Sequence, residues 1–85
     1  MPMASDLTVA DRIRTEIAKH MKQDISKIQP QHSLREDLGM DSADSIELVF
    51  SLEEMFDFEV PDQDFRKLTT VSSVIQYVEE RLQTA

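Results

Sequence analysis

The sequence predicts an all-α domain: a small four-helix bundle of three main helices and a short third one, with a long loop between the first two. The chain holds one Gly and three Pro, too few breakers for an all-β fold and its many turns. Apolar residues recur every three or four positions in three separate stretches, the signature of a helical face. At 40% hydrophobic content, they are also too plentiful for a disordered chain. The length of 85 residues accommodates one domain, residues 1–85, with an ordered core expected over about 7–83.

The first helix is predicted to begin near Thr8, whose side chain can cap free backbone N–H groups, with Asp11 three residues on as a weak capping box. Ala10, Ile13, Ile17 and Met21 then share one face, and Lys19, His20 and Lys22 suit the negative end of the helix dipole. From Gln23 to Met40 the periodicity lapses. Ile25, Ile28, Leu34 and Leu38 are expected to pin this stretch to the core, while Pro30 prevents a continuous helix. Ser33 with Glu36 reads as a capping box for one turn, ended by Gly39 in a left-handed conformation.

The second helix is expected from Asp41 or Ser42 to about Asp57. Val49, Leu52 and Phe56 cluster on its core side, flanked by Ile46 and Leu48, and Asp44, Glu47, Ser51 and Glu54 cluster on the other. Ala43 and Phe50 project between the two faces. Phe50 reads either as an interface anchor ringed by carboxylates or as a ring folded over the core edge. Val60-Pro61 interrupts the chain, Asp62 is a cap for a short helix through Leu68, and Phe65 and Leu68 point inward. Thr69-Thr70 caps the last helix, where Val71, Val74, Ile75, Val78 and Leu82 follow the helical period.

Charge is unevenly distributed. Between Glu36 and Asp64 lie eleven acids and no Lys or Arg, within a chain of net charge −8. Such a balance excludes a general affinity for nucleic-acid backbones, which needs clustered bases. It favours basic protein partners docking on an acidic surface. No apolar run is long enough to span or insert into a membrane. Met1 to Ala10 lacks a basic segment followed by an apolar one, so no secretory leader is read there and a cytoplasmic location is expected.

Several chemistries are excluded in turn. Without cysteine there is no disulfide, thiolate metal site or protein-borne thiol. Two histidines twelve residues apart, His20 and His32, make a zinc site improbable and read as surface or capping residues. Position six of a calcium loop started at Asp41 or Asp62 falls on Ile46 or Lys67 rather than Gly. No metal site is expected. A single Gly cannot build a phosphate-cradling loop, and the carboxylates lie along a helix surface. No self-contained active site emerges, and the chain is not expected to be an enzyme.

Ser42 stands out, between Asp41 and Ala43 at the start of the acidic helix. Helix chemistry alone reads Asp41 or Ser42 as an N-cap. A phosphate ester on the hydroxyl would face helix N–H groups, although Asp41 and Asp44 oppose it electrostatically.

The stretch from Leu34 through Gly39-Met40-Asp41-Ser42-Ala43-Asp44-Ser45 to Leu48 closely resembles the attachment motif of the acyl carrier protein family. The resemblance continues through Leu52 to Asp62, then Thr69-Thr70-Val71 and Val74 to Val78, and covers nearly the whole chain from Thr8 to Leu82. It implies a four-helix fold in which Ser42 carries 4′-phosphopantetheine. A phosphopantetheinyl transferase would use the Ser42 hydroxyl as nucleophile on the pyrophosphate of coenzyme A, with magnesium on that enzyme neutralising charge. The arm supplies the thiol that the chain lacks.

The resemblance implies a monomeric, non-catalytic carrier of fatty or related lipid acyl thioesters, with polyketide or aminoacyl cargo as alternatives. Acyl-loading, condensing and transfer enzymes with basic patches would dock on Asp41, Ala43, Asp44, Glu47, Phe50 and Glu54. An acyl pocket would be walled by Ile46, Leu52, Phe56, Phe65, Leu68 and Val74. Three positions depart from the family's usual pattern: Ala43 in place of Leu after the serine, Phe65 in place of a small residue, and Arg66 in place of an acid. They imply a specialised carrier. The reading from another class is an unmodified acidic interaction domain with the same fold.

Overall fold

The structure, a computed structural model, describes residues 8–84, with side chains through residue 82. The elements run α1 (Val9–Met21), a 3-10 turn (Ile25–Lys27), α2 (Ser42–Phe56), a longer 3-10 helix (Asp62–Lys67) and α3 (Val71–Thr84). Most of the stretch read for a leader, and residue 7 at the expected start of the ordered core, lie outside the described residues. Among the described residues no strand forms, and the architecture is the all-α bundle with α1 packed against both α2 and α3.

Local chemistry explains each boundary. Thr8 Oγ1 accepts the Asp11 N–H at 3.1 Å and opens α1. Lys22 closes it in a left-handed conformation at φ 55°, its N–H reaching the carbonyls of Ala18 and Lys19. α2 ends the same way at Asp57, also at φ 55°, a conformation that aspartate tolerates better than most residues. At α3, Thr70 Oγ1 accepts the Ser73 N–H at 3.0 Å, and Ser73 Oγ accepts the Thr70 N–H at 2.9 Å. Thr70 is therefore the cap of the expected pair.

The long connection is stitched down at three places. The first N–H groups of a helix have no partner within it. Those of Val71 and Ser72 are met by the loop carbonyls of His32 and Pro30, at 3.1 and 2.9 Å. Leu34 N–H donates to Thr69 O at 3.0 Å beside an isolated bridge between Ser33 and Thr70. At the other end, Arg14 Nε donates to Ile28 O at 2.6 Å and Nη2 to Ile25 O at 3.2 Å. His32 holds the middle, its Nδ1 lying 2.9 Å from Lys27 O and 3.2 Å from the Gln29 nitrogen.

Several local expectations are corrected. Ile25 is exposed, because the 3-10 turn capped by Asp24 aims Ile28, not Ile25, at the core. Residues 34–38 form the expected turn, but its cap differs from the expected one. Ser33 Oγ does accept the Glu36 N–H at 3.1 Å, but Asp37, not Glu36, accepts the Ser33 N–H in return, at 2.6 Å. Gly39 follows at φ 75°, the left-handed region expected of it. The short helix before α3 is 3-10. Its N-cap is Pro61, whose ring already holds an extended entry geometry, so Asp62 is its first residue and not its cap.

The core joins Ile13 and Ile17 of α1, Leu48 and Leu52 of α2, and Val71, Val74 and Val78 of α3. The loop contributes Ile28, Leu34, Leu38 and Met40, all buried. Phe56 packs at the edge of this cluster with the Arg12 guanidinium 4.7 Å from its ring centroid.

Candidate functional site

Asp41 and Asp44 build the entrance to α2. Asp41 Oδ1 accepts the Asp44 N–H at 2.8 Å, and Asp44 Oδ2 accepts the Asp41 N–H at 3.2 Å. This reciprocal box satisfies donors that the helix cannot. The Asp44 backbone N–H holds the Asp41 carboxyl below its ordinary value, and the Asp44 side chain adds to the effect. Asp41 is therefore the N-cap, and Ser42 is the first helical residue. The capping bonds leave the exposed Ser42 hydroxyl unused.

Ser42 opens onto a trough of about 840 Å³ that also borders Ile46, Arg35, Glu36, Arg66, Thr69 and Thr70. The trough narrows into an apolar cavity of about 30 Å³, whose walls include Leu48, Val49, Leu52 and Val74. Leu34, Met40, Ser45, Phe65 and Leu68 border both spaces and form the neck between them. Leu52, Phe65, Leu68 and Val74 thus border the inner cavity. Ile46, 42% exposed, borders only the outer trough. Phe56 borders neither space, because it lies at the other end of α2 beneath Arg12.

Sequence reasoning missed Met40, Ser45, Leu48, Val49 and the loop residue Leu34 as borders. Ser45 lies one helical turn after Ser42 and so shares its face, a spacing visible in the sequence. Leu34 and Met40 carry no such signal, because the loop path brings them there.

The outer side of α2 is only partly free. Ala43, Glu47 and Glu54 are exposed, and Phe50 is 60% exposed. Phe50 therefore does not fold over the core. Ser51 is corrected from the open acidic face to the α1 contact: its Oγ lies 3.1 Å from His20 Nε2. His20 is half-buried, also 3.3 Å from Glu16 and 4.0 Å from Glu47. It bridges α1 to α2 instead of standing on the surface. A further concavity of about 620 Å³ lies at the end of α2, between Phe50 and Phe58, with Glu53, Glu54, Asp57 and Glu59 around it. No base stands in the last turn of α2 to offset this charge.

Across the molecule, Tyr77 donates to Asp64 Oδ2 at 2.6 Å and ties the 3-10 helix to α3. This bond holds the Asp64 carboxyl below its ordinary value, while burial and the same bond raise the Tyr77 phenol. Among the described residues no cluster of acids and histidines is arranged to hold a metal ion. No helix is long and apolar enough to cross a membrane, again among the described residues.

A small helical bundle that displays a serine with an unused hydroxyl at a helix start, above a trough, has the build of a carrier for a tethered group. Residues 11–78 match the family described as the phosphopantetheine attachment site, and the chain belongs to that family. Its members bear a covalently attached 4′-phosphopantetheine, which supplies a thiol this cysteine-free chain does not have. They are not catalytic in themselves, and they engage a phosphopantetheinyl transferase and partner enzymes.

Proposed function

We propose that Ser42 is the attachment residue, and that this chain carries acyl intermediates as thioesters for lipid-biosynthetic enzymes. The observation that carries this reading is the Ser42 hydroxyl, exposed at the first position of α2 and left out of the Asp41–Asp44 box. A transferase can use that oxygen without dismantling the cap. The trough beside it offers polar side chains for an arm and an apolar neck for the start of an acyl chain.

The surface around the serine supports docking by basic enzymes. Asp41, Asp44, Glu47 and Glu54 supply charge for steering, and Ala43 and Phe50 supply apolar contact. The loading, condensing and transfer enzymes would therefore bring basic patches, acting in the cytoplasm on a monomeric carrier. Intact mass measured with and without a transferase and coenzyme A tests the attachment. A gain equal to phosphopantetheine, lost in Ser42→Ala, is the expected result.

A second reading keeps the fold but dispenses with the arm, leaving an acidic interaction domain. The exposed Phe50 beside its ring of carboxylates is what would serve a partner under this reading, as it would under the first. No mass gain with several transferases would support this alternative.

A further inference from the structure

Five arginines lie within the described residues, and three are committed to the fold. Arg12 covers the Phe56 ring. Arg14 donates to the carbonyls of Ile25 and Ile28. Arg81 donates to Glu59 O at 2.7 Å and lies over the Tyr77 ring. The other two, Arg35 and Arg66, are exposed and border the same trough as Ser42. Among the described residues neither guanidinium forms an ion pair, although Glu36 borders the trough beside them. They come from separate elements, Arg35 from the loop before α2 and Arg66 from the end of the 3-10 helix. The fold thus brings two uncommitted cations to the one serine that opens α2.

We propose that Arg35 and Arg66 clamp an anionic oxygen group introduced by modification of Ser42. This rests on the attachment of the arm at that residue. Attachment adds a phosphodiester charge where Asp41 and Asp44 already stand, next to Glu36 on the trough border. Like charges this close oppose one another most strongly at low ionic strength. Guanidinium groups suit the offsetting task, because their planar forks meet phosphate or carboxylate oxygens with two hydrogen bonds at once. The inner cavity, at about 30 Å³, is far smaller than the roughly 150 Å³ that admits a benzene ring. An acyl group longer than this cavity holds has the trough beside it, which the same two residues border. The anion has two sources, the phosphodiester at the base of the arm and a carboxylate at the end of a short acyl cargo. Tethering directly to Ser42 favours the phosphodiester.

The test uses the whole chain, modified by a transferase and checked by intact mass, so that attachment is scored separately. Arginine Nε–Hε resonances are compared between the unmodified and the modified protein, with Arg12, Arg14 and Arg81 as internal references. Arg35 and Arg66 are expected to shift and to exchange with water more slowly on modification, while the references stay. The phosphorus resonance is expected to move in both Arg35→Gln and Arg66→Gln. If the arginine changes arise only with a carboxylate-ended acyl group, and not with its methyl-ended counterpart, the cargo is the clamped anion. A full mass gain with Arg35 and Arg66 unchanged in every loaded state overturns the clamp and leaves the attachment standing. The absence of any mass gain overturns both.

Discussion

Asp41 and Asp44 cap each other across the first turn of α2, each carboxylate accepting the other's backbone N–H. Two acids here do what a Ser or Thr does at other helix starts, and both sit at the positive end of the helix dipole. The consequence falls on Ser42. Placed between the partners of the box, it lies at the helix entrance with no part in the cap.

Acid should weaken the fold through this box. Asp24, Asp41 and Asp64 are all held below the ordinary aspartate value of 3.8, mainly by hydrogen bonds from Ser26, Asp44 and Tyr77 respectively. A carboxyl with a depressed folded pKa stabilises the native state above its unfolded pKa. That stability is lost as pH falls through the folded value. The urea midpoint should therefore decline below about pH 4, and Asp41→Asn should show a shallower decline. An identical acid limb in the variant would remove Asp41 from the explanation.

Tyr77 should titrate late. It is the single tyrosine of the chain, so phenolate absorbance reports it alone. Burial and its bond to Asp64 raise its pKa above the ordinary 10.0. A raised folded pKa means that its contribution is complete below 10.0 and fades as pH climbs through the folded value. Asp64→Asn should bring the titration back towards the ordinary value, with burial still keeping it somewhat above.

Phe50 and Leu52, two residues apart on α2, should behave oppositely on truncation. Phe50→Ala should change stability by no more than about 0.5 kcal/mol, as for most exposed side chains. It should still weaken partner binding with little dependence on salt. Leu52→Ala should cost about 2–5 kcal/mol, since it empties a buried position. Glu47→Lys completes the set: partner association should slow, and the deficit should shrink as salt rises. Melting and binding measured together on all three distinguish the surface from the core.

Phe65 should set how much of an acyl chain enters between the helices. It borders both the trough and the 30 Å³ cavity, so a change in its size alters the wall that the two spaces share. With acyl groups of increasing length, chemical shifts along α2 and α3 should stop changing at a shorter chain in the native protein than in Phe65→Ala. Equal responses at every length would show that the ring does not gate the passage.

Salt should stabilise the protein. Eleven acids between Glu36 and Asp64 repel one another, and the screening length falls from about 30 Å at 0.01 M salt to about 10 Å at 0.1 M. Melting temperature should rise with added salt or magnesium, and mild alkali should not help. A melting temperature indifferent to salt would show that the charges are already well separated by the solvent.

The three helices, their boundaries to within a residue at Thr8, Ser42 and Val71, and the place of Ser42 at the start of α2 were all legible in the sequence. Each rests on short-range chemistry: a cap three residues from its donor, or an apolar stripe repeating with the helical period. The same local logic misplaced Asp62 as a cap, because Pro61 had already set the entry geometry. It also missed Asp37 as the partner of Ser33, one residue beyond the usual box. The tertiary structure alone decided the path of residues 23–40, whose carbonyls meet the first N–H groups of α3, and the placing of Leu34 and Met40 at the neck. It alone turned Ser51 and His20 towards each other and gathered Arg35 and Arg66 at one trough. Those relationships join residues from separate elements. They follow from the way three apolar faces pack together, and no spacing along the chain encodes that directly.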